Sequence, residues 1–293
     1  MPTIDLYANA VVGGLMTGAI YALIATGLNL IFGVMRVVNF AHGEMVVTGM
    51  YIGYVASAVF GLPAWAGVPI AGAAMFLAGY AFQRFFGNRF VERPQHIQFV
   101  LYIGLGLTIT GLQAMIFGPD PRGIQDMSGF ATYNLGPLRL DAVRLHAAAA
   151  ALIIVFALWA WLRYSLTGKA LQASAENLLG GRIIGIKVSH VFALTAAIGI
   201  ACASIAGALV APLYDTEPYL ASEFTLTAFI VVIVGGLASL PGALLGGFLI
   251  GVSEAIAAVA ISPSAKSLVS YCLLLAVILL RPNGLFGAER RSP

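Results

Sequence analysis

Residues 6–35 read LYANAVVGGLMTGAIYALIATGLNLIFGVM, an unbroken run without Asp, Glu, Lys or Arg. A helix needs about 20 mostly apolar residues to cross the hydrocarbon core of a bilayer, so this run is long enough to span one. Similar charge-free runs recur at 45–83, 94–119, 145–162, 188–214, 224–253 and 267–280. The run 45–83 holds two crossings, broken at Gly61-Leu62-Pro63. Spans are expected near 9–32, 38–60, 64–84, 97–118, 144–163, 190–213, 224–238, 241–261 and 266–281. Helices satisfy their backbone groups in lipid without closing a barrel, and these runs lack the alternation of barrel strands. The expected fold is an all-α, polytopic transmembrane bundle of about eight or nine hydrophobic segments, a single domain over 1–293.

Composition agrees. Of 293 residues, 60% are apolar and 9% charged, against roughly 25% charged in an average soluble domain. Twelve acids and fifteen bases cannot cover a soluble surface of this size. A soluble enzyme, a disordered chain and a nucleic-acid binder are excluded as first readings. Met1 to Tyr7 has no basic n-region and no small-residue cleavage site, so Leu6 to Phe32 reads as a span that stays. Cys202 and Cys272, far apart in apolar runs, read as small buried hydrophobes.

Charge placement suggests an orientation. If the first span runs inward, Arg36, Arg84, Arg89, Arg93, Arg163, Lys169, Arg182, Lys187, Arg281, Arg290 and Arg291 are cytoplasmic, and Arg122, Arg139, Arg144 and Lys266 are external. The N-terminus is then outside and the C-terminus inside. Trp65, Tyr214 and Tyr219 on one boundary, and Trp159, Trp161 and Tyr164 on the other, suit aromatic belts. Residues 119–143 and 214–223 become external loops. Residues 164–189 become the longest internal loop, in which Gly168 to Leu179 reads as a helix stopped at Gly180-Gly181.

Two places interrupt the apolar pattern. Ser239-Leu240-Pro241 separates 224–238 from 241–261 amid Gly235, Gly236, Gly242, Gly246 and Gly247. Asn39, His42, Gly43 and Glu44 interrupt 33–49. Broken segments point to a transport pathway, because irregular backbone at membrane depth survives only where it lines a cavity or is buried. Asn39, His42 and Glu44 are therefore pathway or gating candidates; alternatively Asn39 caps the next helix and Glu44 sits in its first turn, with Arg36 near enough to pair with it. Glu254 is a second candidate, or an acid near a span's outer end that reaches water. Gly235 and Gly236, beside the break, are pathway or gating candidates too; alternatively their Gly-rich stretch, which has no phosphate-binding pattern, serves close helix packing. His96, His146 and His190 fall at membrane boundaries, and no HExxH or GxSxG is present, so catalytic and metal sites are not expected.

These residues resemble a known family. Gly27-Leu28-Asn29-Leu30-Ile31-Phe32-Gly33 followed by Asn39-Phe40-Ala41-His42-Gly43-Glu44 is similar to the early signature of LivH-type permeases, the inner-membrane subunits of branched-chain amino acid ABC importers. Gly168-Lys169-Ala170-Leu171-Gln172-Ala173 through Ile183-Ile184-Gly185-Ile186 resembles that family's ATPase-facing loop. Phe229 through Gly247 resembles its late Gly-rich signature, and Arg281-Pro282-Asn283-Gly284-Leu285-Phe286-Gly287 its ending. This chain has Lys169 and Gln172 where the family commonly has arginines, and Lys lacks the bidentate geometry of Arg.

The resemblance implies a bacterial inner-membrane, multi-pass importer subunit that is not itself an enzyme. It binds no cofactor, while ATP and Mg are used by separate LivG/LivF-like ATPase subunits. Lys169, Gln172, Glu176, Asn177, Arg182 and Gly185 would form the coupling loop. A LivM-like second permease and a periplasmic solute-binding protein would complete the system in membrane lipid, with no nucleic acid. Substrates would be branched-chain or other hydrophobic amino acids, although relatives carrying urea, amides or aromatic acids leave the solute open. The competing readings are an ATP-independent secondary transporter or channel and an intramembrane hydrolase.

Overall fold

A computed structural model describes residues 4–124 and 131–287. The chain forms α1 (Ile4–Met35), α2 (His42–Ala58), α3 (Gly67–Phe85), α4 (Gln95–Phe117), a hairpin of β1 (Thr132–Leu135) and β2 (Leu138–Asp141), α5 (Ala142–Tyr164), α6 (Leu166–Glu176), α7 (Leu178–Ile183), α8 (Val188–Val210), α9 (Ala221–Gly235), α10 (Leu240–Ala260) and α11 (Ala265–Leu280). Seven helical stretches among the described residues are long and apolar enough to cross a membrane. Helices α2 and α11, with 17 and 16 residues, are shorter. The nine expected segments thus correspond to α1–α5 and α8–α11, in a helical membrane protein.

Helices α1 and α8 form the centre, each with 83% of its apolar window buried, whereas the windows of α3 and α4 are only 22% and 17% buried. A helix that is apolar all round can serve either position in a bilayer, because lipid and protein interior are alike to it; small residues decide which go inside. Helix α1 lies antiparallel to α10 through facing Gly-x-x-x-Gly pairs, Gly14 and Gly18 against Gly247 and Gly251. A Cβ on Gly14 would stand 2.7 Å from the Gly251 carbonyl oxygen, and one on Gly18 2.7 Å from that of Gly247. Only glycine permits this backbone approach. The Gly-rich stretch around Gly246 and Gly247 therefore packs helices.

Several local expectations are corrected. The connection after α4 is not wholly irregular. Its hairpin pairs Thr132 with Asp141 and Leu135 with Leu138, and Asn9 of α1 holds it by accepting the Arg139 N–H at 2.7 Å and donating to the Pro137 carbonyl at 3.0 Å. The internal loop holds two helices, and the break falls at Asn177, before Gly180-Gly181. Asn177 in extended backbone accepts the Gly180 N–H at 2.8 Å and starts α7, just as Ser165 starts α6 by accepting from Gly168 at 2.9 Å. A capping side chain starts a new helix more strongly than two glycines end one. Segment 241–261 is an uninterrupted helix, so the break before it is an inter-helix turn. Cys202 is buried as expected, but Cys272 is exposed on α11.

Candidate functional site

The candidate residues fall in four places. Arg36 ends α1 in left-handed backbone, φ 58°. Residues 36–41 are then non-helical, with Val37, Asn39 and Ala41 almost fully buried. Irregular backbone in an apolar interior needs partners for its polar groups. The imidazole of His42 reaches past this stretch: its Nε2 lies 2.9 Å from the carbonyl of Ile24, roughly three turns before the end of α1. Helix α2 therefore begins beside the body of α1 and not beside its terminus. Asn39 does not cap α2 as expected; its Oδ1 accepts the Ala41 N–H at 3.0 Å, and α2 has no side-chain cap. The first-turn N–H of Gly43 instead donates across to Thr225 Oγ1 of α9 at 2.9 Å.

Glu44 turns toward α4, with its carboxylate beside Gly106. Its Oε2 is buried with no hydrogen-bond partner, and Arg36 makes no ion pair with it among the described residues. One turn on, Gln113 of α4 donates to Thr48 Oγ1 at 3.0 Å, and the Gln113 Oε1 is likewise buried without a partner. Beside them, Tyr51, Ile52, Ile109, Leu112 and Phe117 line a strongly apolar cavity of about 380 Å³.

The second place is the turn between α9 and α10. Gly235 packs directly on Gly242, Gly236 takes φ 114° and Ala238 φ 63°. Left-handed backbone is costly for alanine and persists only when neighbours fix it. Asn29, buried in α1, does so: its Oδ1 accepts the Ala238 N–H at 2.7 Å and its Nδ2 donates to the Ser239 carbonyl at 2.8 Å. The chain's last described segment joins the turn, Leu285 and Phe286 donating to the carbonyls of Val234 and Gly235.

Glu254 stands apart from both. It accepts the hydroxyls of Ser270 at 2.6 Å and Tyr21 at 3.1 Å, and it lines a cavity of about 220 Å³ at the end of the bundle where α9 and α11 start.

Helices α6 and α7 occupy the opposite end. Lys169, Gln172, Glu176, Asn177, Arg182 and Gly185 are all exposed there. So are Leu166, Leu179, Ile183 and Ile184. Arg182 pairs with Glu92 of the α3–α4 connection. Gln172 shares a cavity of about 900 Å³ with Arg36, Arg163, the 237–241 turn and Pro282, Asn283, Phe286 and Gly287. The bases expected to be cytoplasmic gather at this end, except Arg290 and Arg291, which lie outside the described residues.

The structure thus unites Asn39, His42 and Glu44 at one helix start and Gly235 with Gly236 at one turn, and leaves Glu254 separate. Sequence reasoning missed Asn29, Thr225 and Gln113 as partners, and Tyr21 with Ser270. The available signal was a polar residue within a charge-free run, as Asn29 is within 6–35.

Comparison with known proteins gives a consistent result. The family described as "Branched-chain amino acid transport system / permease component" matches residues 10–278. The chain is 30% identical to the "High-affinity branched-chain amino acid transport system permease protein BraD" of Pseudomonas aeruginosa, covering 98% of each chain. It is 30% identical to the corresponding LivH protein of Salmonella typhimurium over 94% of this chain and 93% of that one. A "Probable branched-chain amino acid transport permease protein LivH" of Methanocaldococcus jannaschii is 23% identical over 94% of this chain and 91% of that one.

Proposed function

The chain belongs to the family of branched-chain amino acid transport system permease components, and from that premise we propose how it works as the membrane subunit of an ATP-driven importer. It is a multi-pass permease. Its solute would be a small amphipathic molecule, an aliphatic amino acid first of all, as the relatives' names suggest.

The observation that carries the mechanism is the pair of short capped helices α6 and α7, which present exposed leucines and isoleucines beside Lys169 and Arg182 at the basic end. Apolar side chains outside the spanning helices gain by being covered, and a groove in an ATPase subunit would cover them. That end would be cytoplasmic by the excess of bases, placing the N-terminus outside. LivG/LivF-like subunits would bind ATP and Mg and close against α6 and α7. Gln172 and the α9–α10 turn line one cavity, so displacement of α6 would reach that turn and tilt α9 and α10 against α1. A LivM-like permease would complete the pore, and a periplasmic binding protein would deliver solute to the ends of α4, α8 and α9.

Within this chain the α2 start would line the pathway. Gln113, which lines the apolar cavity, keeps a buried oxygen without a partner, and so does Glu44, one turn before the cavity-lining Thr48. Such an arrangement can accept hydrogen bonds from a passing ammonium while apolar walls meet an aliphatic side chain.

Replacing residues 165–186 with a neutral linker tests the coupling role. Membrane insertion should persist while co-purification of the ATPase subunits is lost; retained association would overturn it.

A further inference from the structure

Helices α1 and α5 run parallel. At one end a Cβ on Gly13 would lie 3.6 Å from Nη1 of Arg144, and at the other Arg36 and Arg163 line one cavity of about 900 Å³. At about 1.5 Å per residue, Arg36 stands about 35 Å along α1 from Gly13, and Arg163 about 29 Å along α5 from Arg144. A hydrocarbon core of about 30 Å thus puts both arginines at a membrane boundary, at the depth of the lipid headgroups. The α9–α10 turn is the floor of the cavity. Asn29, which holds that turn, lies about 10 Å deeper along α1 than Arg36.

The charges around this recess are all of one sign. No acid lines it, and neither arginine forms an ion pair among the described residues. Arg36 reaches it from left-handed backbone, φ 58°, which is costly for any residue but glycine and marks a place where structure or function holds the strain. The α10 N-terminus, with its positive dipole end, faces the same space through Ser239 and Leu240. One turn deeper than the arginines the walls become apolar, with Phe32 before Arg36 and Trp159 before Arg163. The Arg163 guanidinium lies 5.3 Å from the centre of the Trp159 ring. Trp159 and Leu237 keep 40% and 46% of their surface exposed. Helices α5 and α10 both pack on α1 and scarcely on each other, so the space between their inner ends opens sideways. Bases at headgroup depth above apolar walls match an amphiphile with an anionic head, whereas a soluble anion has no use for the walls.

We propose that this recess binds an anionic membrane lipid, its phosphate held by Arg36 and Arg163 and its acyl chains lying along Phe32, Trp159 and Leu237. A guanidinium offers two parallel N–H donors to phosphate oxygens, and two guanidiniums can clamp one group. The proposal goes beyond the importer reading and does not depend on it.

The full chain in detergent would be given phosphatidylglycerol, phosphatidylcholine or inorganic phosphate, and bound ligand followed by native mass spectrometry. Phosphatidylglycerol should be retained severalfold better than phosphatidylcholine and should resist displacement by inorganic phosphate. Arg36→Gln and Arg163→Gln should each lower its retention severalfold. Arg89→Gln, which removes an exposed base of the α3–α4 connection outside the cavity, should not. Arg36→Gly removes the guanidinium but suits the left-handed backbone, so retention should fall while the melting temperature in lipid-free detergent does not. That variant separates lost binding from lost fold. Equal retention by wild type and the Arg36 and Arg163 variants, an equal loss with Arg89→Gln, or no preference over phosphatidylcholine would overturn the proposal. Displacement of the lipid by inorganic phosphate would overturn it too, and would make the recess a site for a soluble anion.

Discussion

Asn29 and Ser239, 210 positions apart in sequence, are joined by a 2.8 Å hydrogen bond from the Asn29 amide to the Ser239 carbonyl. The same side chain accepts the N–H of Ala238, so the last two turns of the first helix fix the left-handed turn that connects α9 to α10. Asn29→Ala leaves that N–H and carbonyl without their side-chain partner in a partly buried turn. Stability to denaturant in detergent micelles should fall by about 1–3 kcal/mol. Asn29→Asp keeps the acceptor but sets a charge against carbonyl oxygens, and should be at least as damaging. Unchanged midpoints for both would show that the turn holds without α1.

Glycines on two faces should respond in opposite ways. Gly18→Leu or Gly247→Leu forces a side chain into backbone at the α1–α10 crossing, and should abolish folded protein in size-exclusion profiles, since overpacking costs about 1–3 kcal/mol even where neighbours can shift. Gly104 and Gly111 of α4 meet nothing within 4 Å. Alanine at either should be neutral or stabilising by about 0.5–1 kcal/mol, the helix preference of alanine over glycine.

The entry to α2 depends on α9. Thr225→Val keeps the shape but removes the acceptor of the Gly43 N–H, which is expected to cost about 1–3 kcal/mol, whereas Thr225→Ser should behave as wild type. Equal melting temperatures for the two variants would place the anchor of α2 elsewhere.

Arg182 and Glu92 offer a separation of stability from partner binding. Both are largely exposed, with side-chain exposures of 52% and 72%, so Arg182→Ala should change stability by no more than about 1 kcal/mol. ATPase co-purification should nevertheless drop, because the residue lies on the surface assigned to the partner. Normal association in a pull-down would remove Arg182 from that surface.

The bundle was legible because the solvent is: a run such as 6–35 leaves a helix through lipid as its economical form, and glycines spaced by four mark where helices touch. The internal helices were half legible. Lys169 and its neighbours read as helical, but the capping preference of Asn177 outweighed the glycines taken as the stop. The hairpin at 132–141 was missed because four-residue strands held by Asn9 depend on a partner 130 positions away. The site was least legible for the same reason. Glu254 stood out by being alone, but nothing local to it names Tyr21 or Ser270, and nothing near Gly43 names Thr225. Contacts of this kind are set by helix register, which apolar composition does not specify.

The central claim is that this permease moves solute only when ATPase subunits act on α6 and α7. The direct measurement is uptake of labelled leucine into proteoliposomes holding the permease pair, with and without the ATPase subunits, binding protein and internal ATP. Uptake is expected only with all of them present, and should vanish when residues 165–186 are replaced. Uptake driven by a proton or sodium gradient with no ATPase subunit present would contradict the claim and make Glu44 the acid of an ion-coupled carrier.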